Sequence, residues 1–84
     1  MQRLGIIAVI IENNRQSVEQ VNKILSEFYD HIRARMGVPN KEKDTYLISL
    51  VVEISTEQLG ALTGRLGNLA GVTVKSMMTN KSFE

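Results

Sequence analysis

Apolar residues follow two different rhythms along this chain, and the switches between them mark out six elements. Residues 3–12 (RLGIIAVIIE) are almost continuously apolar and rich in β-branched side chains, the pattern of a central strand covered on both faces. Asn13 and Asn14 supply a turn, with Asn13 as helix N-cap and Gln16 three residues on as its capping-box partner. Val18, Val21, Ile24, Leu25 and Phe28 then recur at helical spacing, which predicts a helix over 15–29. Glu19, Gln20, Lys23 and Glu27 fall on its wet side.

Residues 31–38 (HIRARMGV) alternate strictly. Ile32, Ala34, Met36 and Val38 point one way, and His31, Arg33, Arg35 and Gly37 the other. That predicts an edge strand with one covered face. Residues 39–44 (PNKEKD) are polar, hold the only proline and read as a loop. Residues 45–54 (TYLISLVVEI) form a second mostly apolar strand. Ser55 and Gln58 match a capping box, and Leu59, Leu62, Leu66 and Leu69 follow at helical spacing. Gly71 ends this helix, residues 71–79 make a last strand, and residues 80–84 read as a frayed tail.

The order strand, helix, strand, strand, helix, strand is two split strand–helix–strand units. With right-handed crossovers it gives an α+β, ferredoxin-like βαββαβ plan. The first and third strands are then central, which fits their apolar runs. One domain over residues 1–84 is expected, with an ordered core of about 3–79. Two helices cover only one face of a four-stranded sheet. Whichever alternate set meets the helices, the other set is apolar too, so sheet-to-sheet or edge-to-edge association is expected, the alternative being cover by the tail or by residues 39–44. Ile7, Val9, Ile11, Tyr46, Ile48 and Leu50 are the interface candidates, in a dimer or a dimer of dimers.

Composition narrows the chemistry. A chain of 84 residues hides only roughly 60–65% of its unfolded surface, so such domains gain from reinforcement. There is no cysteine and one histidine, which removes disulfides, thiolate metal sites and any multi-histidine site within one chain. No metal and no cofactor is expected. A net charge of +1 and an aromatic content of 5% argue against a nucleic-acid surface. The apolar run of residues 4–11 is too short to span a bilayer, and polar Glu12–Arg15 follows it where a signal peptide would have small residues. A cytoplasmic protein is expected.

No nucleophile with a matching base appears, so catalysis is not expected. His31 follows Asp30, which could orient it; a lone histidine at a strand start more simply serves structure. Asn13, Asn14 and Arg15 stand at a strand-to-helix junction, where free N–H groups favour an anion or carboxylate; plain capping is the other reading of the asparagines. Gly60, Gly64 and Gly67 share one side of the second helix, and each costs about 1 kcal/mol relative to alanine. Either the first helix packs tightly there, or a ligand or neighbouring subunit meets bare backbone. Arg33 and Arg35 could touch phosphates, or could keep an edge strand soluble.

Three segments carry a resemblance: IIAVIIENNRQSVEQVNKIL, MGVPNKEKDTYLISLVVE and LGALTGRLGNLAGVTVKSM. Over residues 4–78 the chain resembles the ACT-like family of iron-only hydrogenase system regulators. The resemblance implies a fold related to ACT domains and to the effector domain of nickel-responsive regulators. It also implies oligomerisation through the sheet and a regulatory role near hydrogenase maturation. Nickel sensing does not carry over, because the histidines and cysteine it needs are missing. Amino-acid-binding ACT domains usually have a glycine in the first strand-to-helix turn, and residues 12–15 here have none. The leading expectation is a regulatory module that binds a small effector or a partner protein at a subunit interface. Against it stand a purely structural interaction module and a nucleic-acid-binding regulator using Arg33, Arg35, Lys41 and Lys43.

Overall fold

The computed structural model describes residues 1–82. In chain order they form β1 (Arg3–Glu12), α1 (Arg15–Glu27), a 3-10 turn (Tyr29–His31), β2 (Ile32–Asn40), β3 (Thr45–Ile54), α2 (Thr56–Gly67) and β4 (Val72–Ser82). The strands build one sheet in the order β2-β3-β1-β4, and every neighbouring pair is antiparallel. This is the ferredoxin-like βαββαβ plan, with the two apolar runs at its centre.

Strand alternation decides which residues make the core. Ile7, Val9 and Ile11 of β1, and Ile48, Leu50, Val52 and Ile54 of β3, lie beneath the helices with at most 2% of their surface exposed. Val21, Ile24 and Leu25 of α1, and Leu62 and Leu66 of α2, close over them. Each such side chain contributes about 1.5–3 kcal/mol by leaving water. The interface expectation for Ile7, Val9, Ile11, Ile48 and Leu50 is therefore corrected: they are interior residues of the single chain. Tyr46 lies on the same helix-covered side, half-buried. Their alternates, not they, face away from the helices.

Helix ends show how local chemistry settles boundaries. Ser55 caps α2 with the expected box: its hydroxyl accepts from the Gln58 N–H at 3.1 Å, and the Gln58 carboxamide accepts from the Ser55 N–H at 3.3 Å. The cap of α1 is Asn14, not Asn13; its side chain accepts from the Ser17 N–H at 3.0 Å. Asn13 is instead in the left-handed region, φ 53°, a conformation asparagine tolerates better than most residues. α1 is also shorter than its periodicity suggests, because the chain tightens into a 3-10 turn at Tyr29.

Three further boundaries differ from expectation. β2 continues through Pro39 to Asn40, since an edge strand has positions whose N–H is not needed by the sheet. The connection to β3 is thus only a tight turn. α2 stops at Gly67, before Gly71; the left-handed Gly71 (φ 73°) serves the turn that starts β4. β4 runs on to Ser82, so residues 80–82 are strand; Phe83 and Glu84, the rest of the expected tail, lie outside the described residues.

The helices are pinned to each other by a paired contact: Arg65 of α2 donates two hydrogen bonds to the Glu27 carboxylate of α1, at 3.0 and 2.9 Å. That hydrogen bonding, helped by the guanidinium charge, holds the Glu27 carboxyl below its ordinary value and raises Arg65. A depressed carboxyl adds stability that is complete above its unfolded pKa and is lost as pH falls through the folded one. Both partners are well exposed, so the effect is small. Glu27→Gln is expected to be less stable than wild type at pH 7. The gap should close as pH drops below about 4.3, which urea unfolding at several pH values measures.

Gly71 offers a larger effect. Its carbonyl accepts from the Glu12 N–H at 2.8 Å, and a β-carbon there would collide with the Glu12 carbonyl oxygen. Gly71→Ala is expected to cost about 1–3 kcal/mol in denaturant unfolding. Gly64→Ala, which meets open space on a helix, should gain about 0.5–1 kcal/mol.

Candidate functional site

The β1–α1 junction is tied to two other loops. The Asn13 N–H donates to the Asp44 carbonyl at 2.9 Å, joining it to the β2–β3 turn. On the other side, the buried Ser17 hydroxyl donates to the Ala70 carbonyl at 2.6 Å, joining it to the α2–β4 turn. Three chain reversals thus converge on residues 12–17.

Between this junction and the end of the β2–β3 hairpin lies a cleft of about 200 Å³. Its apolar floor is Ile11, Val18 and Tyr46. The Tyr46 ring lies across Gly37 of β2, where a β-carbon would collide with it, and Pro39 lines the adjoining wall. The rim is polar, with Asn14, Arg15, Asn40, Lys41, Asp44 and Thr45. Arg15 and Lys41 bring two cations to the mouth, beside the positive end of α1. The first backbone N–H groups of the helix have no partner inside it, and Asn14 satisfies only that of Ser17.

Of the expected ligand residues, Asn14 and Arg15 line this cleft, whereas Asn13 shapes it through the Asp44 bond. Gly60 and Gly64 are not brought to it. They sit on the exposed side of α2, where a β-carbon would meet nothing within 4 Å, so α1 does not pack against them. Tyr46, Pro39 and Lys41 were not recognisable as cleft residues. Only the β2–β3 register places that hairpin end against the helix start.

A wider hollow of about 600 Å³ runs between the last turns of α1 and β2, past Asn22, Tyr29 and Ile32. Its arginines are engaged by the chain itself. Arg33 donates to the Asp30 carbonyl at 2.7 Å and to the Glu53 carboxylate at 3.2 Å, and Arg35 donates to the Asn22 side chain. The His31 Nδ1 lies 3.3 Å from the Glu53 carbonyl oxygen, so its partner is backbone of β3. Among the described residues, no group of three or more acidic or histidine side chains is placed to hold a metal ion. No helix among them is long and apolar enough to cross a membrane.

Residues 3–76 match the model of the TM1266-like family, described as "Iron-only hydrogenase system regulator, putative". The chain belongs to this family. The solved structure of TM1266 from Thermotoga maritima is similar at a TM-score of 0.90 and 33% identity, over 93% of this chain and 98% of that one. The ACT domain from the GTP pyrophosphokinase of Chlorobium tepidum shares the fold, at a TM-score of 0.76 and 23% identity, over 92% of this chain and 100% of that domain. So does the C-terminal domain of the MgtC protein from Mycobacterium tuberculosis, at 0.73 and 14%, over 93% and 88%. No curated protein matches this chain. The chain thus belongs to the TM1266-like family and has the fold of an ACT domain.

Proposed function

We propose that this TM1266-like chain is a non-catalytic regulatory module that binds a small, anion-bearing effector in the cleft at the β1–α1 junction. The observation that carries the reading is the cleft's composition: an apolar floor under a rim where Arg15 and Lys41 meet the start of α1. An apolar body would rest on Ile11, Val18 and Tyr46, while a carboxylate or phosphate would be met by the cations and by open N–H groups. The family description supports regulation, and the occurrence of the same fold as a domain of a GTP pyrophosphokinase fits a module that attends on another activity. In this reading the chain works in the cytoplasm as a homo-oligomer, and its link to a hydrogenase system runs through a partner protein.

A ligand-free interaction module is the competing reading, and it leaves the cleft without an occupant. Nucleic-acid binding is disfavoured, since Arg33 and Arg35 are spent on the chain's own acceptors.

Thermal unfolding against a panel of amino acids, nucleotides and dicarboxylates tests the effector. At ten times its Kd a ligand adds about 1.4 kcal/mol, or roughly 5–10 °C for a domain of this size. Arg15→Ala and Lys41→Ala are each expected to cut that shift by more than half. A panel without effect, or a shift that survives both substitutions, would falsify the reading.

A further inference from the structure

We infer that the outer edge of β2 takes up an extended, acidic segment of another protein as a fifth strand of the sheet. The inference rests on the reading that the regulatory link runs through a partner protein, and it names the surface and the chemistry of that partner. Two contacts set the phase of the backbone. The Glu12 N–H donates to the Gly71 carbonyl at 2.8 Å, and the Leu4 carbonyl accepts from the Thr79 hydroxyl at 2.9 Å. Even-numbered residues of β1 thus direct their backbone groups to the β4 side. Successive residues of a strand turn these groups to opposite sides, so Ile7 and Val9 bond to β3, at Leu50 and Ile48. Leu50 and Ile48 are then committed away from β2. Their β2 partners, Arg35 and Gly37, direct N–H and C=O out of the sheet. Pro39, next in the same phase, has no N–H to present, which is why the strand tolerates it. β2 is an outer strand, so among the described residues no strand meets these groups. They are the template that strand addition uses.

Side chains choose the occupant. Arg35 and Gly37 lie on the helix side, opposite the interior Leu50 and Ile48. Beside Arg35 opens the hollow of about 600 Å³, with Leu25 and Ile32 at its floor and the exposed Tyr29 ring along it. An added strand sets one side chain beside Arg35 and another, two residues on, over this hollow. The Arg35 bond to the neutral Asn22 side chain leaves its charge uncompensated, and no carboxylate pairs with it among the described residues. β2 itself holds two cations and no anion, and Arg33 is already matched by Glu53. A carboxylate facing Arg35 and an aliphatic side chain in the hollow answer both features. Opposite Gly37 the incoming strand meets no side chain, so a second apolar residue fits there against the Tyr46 ring that lies across Gly37. The partner's pattern is therefore apolar, acidic, apolar at every second position. A second copy of β2 is a poor occupant. Pairing Arg35 with Gly37 about a two-fold axis would set the two arginines on diagonal positions of one face, roughly 7–8 Å apart, where like charges repel.

The test, run without any effector, is titration with a capped peptide that alternates threonine with leucine, glutamate and leucine, a pattern that reads the same in both directions. Amide hydrogen exchange followed by NMR is the readout. In the peptide-free protein the Arg35 and Gly37 N–H groups are expected to exchange at least tenfold faster than those of Met36 and Val38, whose phase turns them to β3. Millimolar peptide should slow Arg35 and Gly37 at least threefold and leave Met36 and Val38 unchanged. The same peptide with lysine in place of glutamate should bind about fivefold more weakly, and Arg35→Glu, at an exposed side chain, should reverse that preference. Protection of Arg35 and Gly37 before peptide is added would show the edge already occupied, by a second copy or otherwise, and would overturn the inference. So would a peptide without effect on them, or a preference that Arg35→Glu leaves unreversed. Each of these failures removes the β2 surface and leaves the effector cleft, read by its own thermal shift, standing.

Discussion

A four-stranded sheet has two faces, and two helices are enough for one. Everything else in this chain answers to that constraint. The covered face takes the largest interior residues and excludes water from them almost completely. The uncovered face carries side chains nearly as apolar, and these spread over all four strands. A chain that needed only a soluble outer surface would alternate apolar and polar positions along its central strands. β1 does not: Leu4, Ile6, Ala8 and Ile10 are as apolar as the residues between them. Both faces of this sheet are apolar, and the single chain buries only one.

The junction between β1 and α1 is the second organising point. It must reverse the chain, cap a helix and leave room for a cleft within a few residues. Three devices achieve this together: the left-handed Asn13, the Asn14 cap and the buried Ser17 hydroxyl. Asn13 and Ser17 also reach neighbouring turns, so the junction is braced from the β2–β3 turn and from the α2–β4 turn. Bracing of this kind holds the backbone that carries Arg15 beside the turn that carries Lys41, without either contributing to the core.

Much of the fold was legible because it rests on periodicity. The span of β1, the span of β3, the Ser55 capping box and the strand order all follow from alternation, helical spacing and local hydrogen-bond chemistry. What was not legible depended on parity and register. Alternation says that Ile6 and Ile7 face opposite ways, but when both are apolar it cannot say which one meets the helices; Ile7, Val9, Ile11, Ile48 and Leu50, expected on an outer face, are therefore interior. Pro39 misled because proline usually breaks a strand, yet a sheet edge tolerates it. The glycines of α2 misled for a different reason. Their spacing suggested close approach, while the helix turns that stripe to open space. In the cleft, Asn14 and Arg15 were readable from helix-end chemistry. Tyr46 and Lys41 come from a hairpin nearly thirty residues away, and only three-dimensional pairing brings them there.

The same alternation that obscured the face also links it to the cleft. Ile11 and Tyr46 are register partners on the floor of the cleft, and the residues beside them, Ile10 and Leu47, are register partners on the open face. One peptide bond separates each floor residue from its counterpart. A shift of the backbone at one residue carries the next with it, because successive β-carbons are fixed to opposite sides of one pleated backbone. An effector that spreads the hairpin end would therefore shift Leu47 and, across the ladder, Val38. If those side chains pack against a second copy, occupancy of the cleft and strength of association become one equilibrium, and each must alter the other by the same factor. A small domain would need nothing more to act as a regulator.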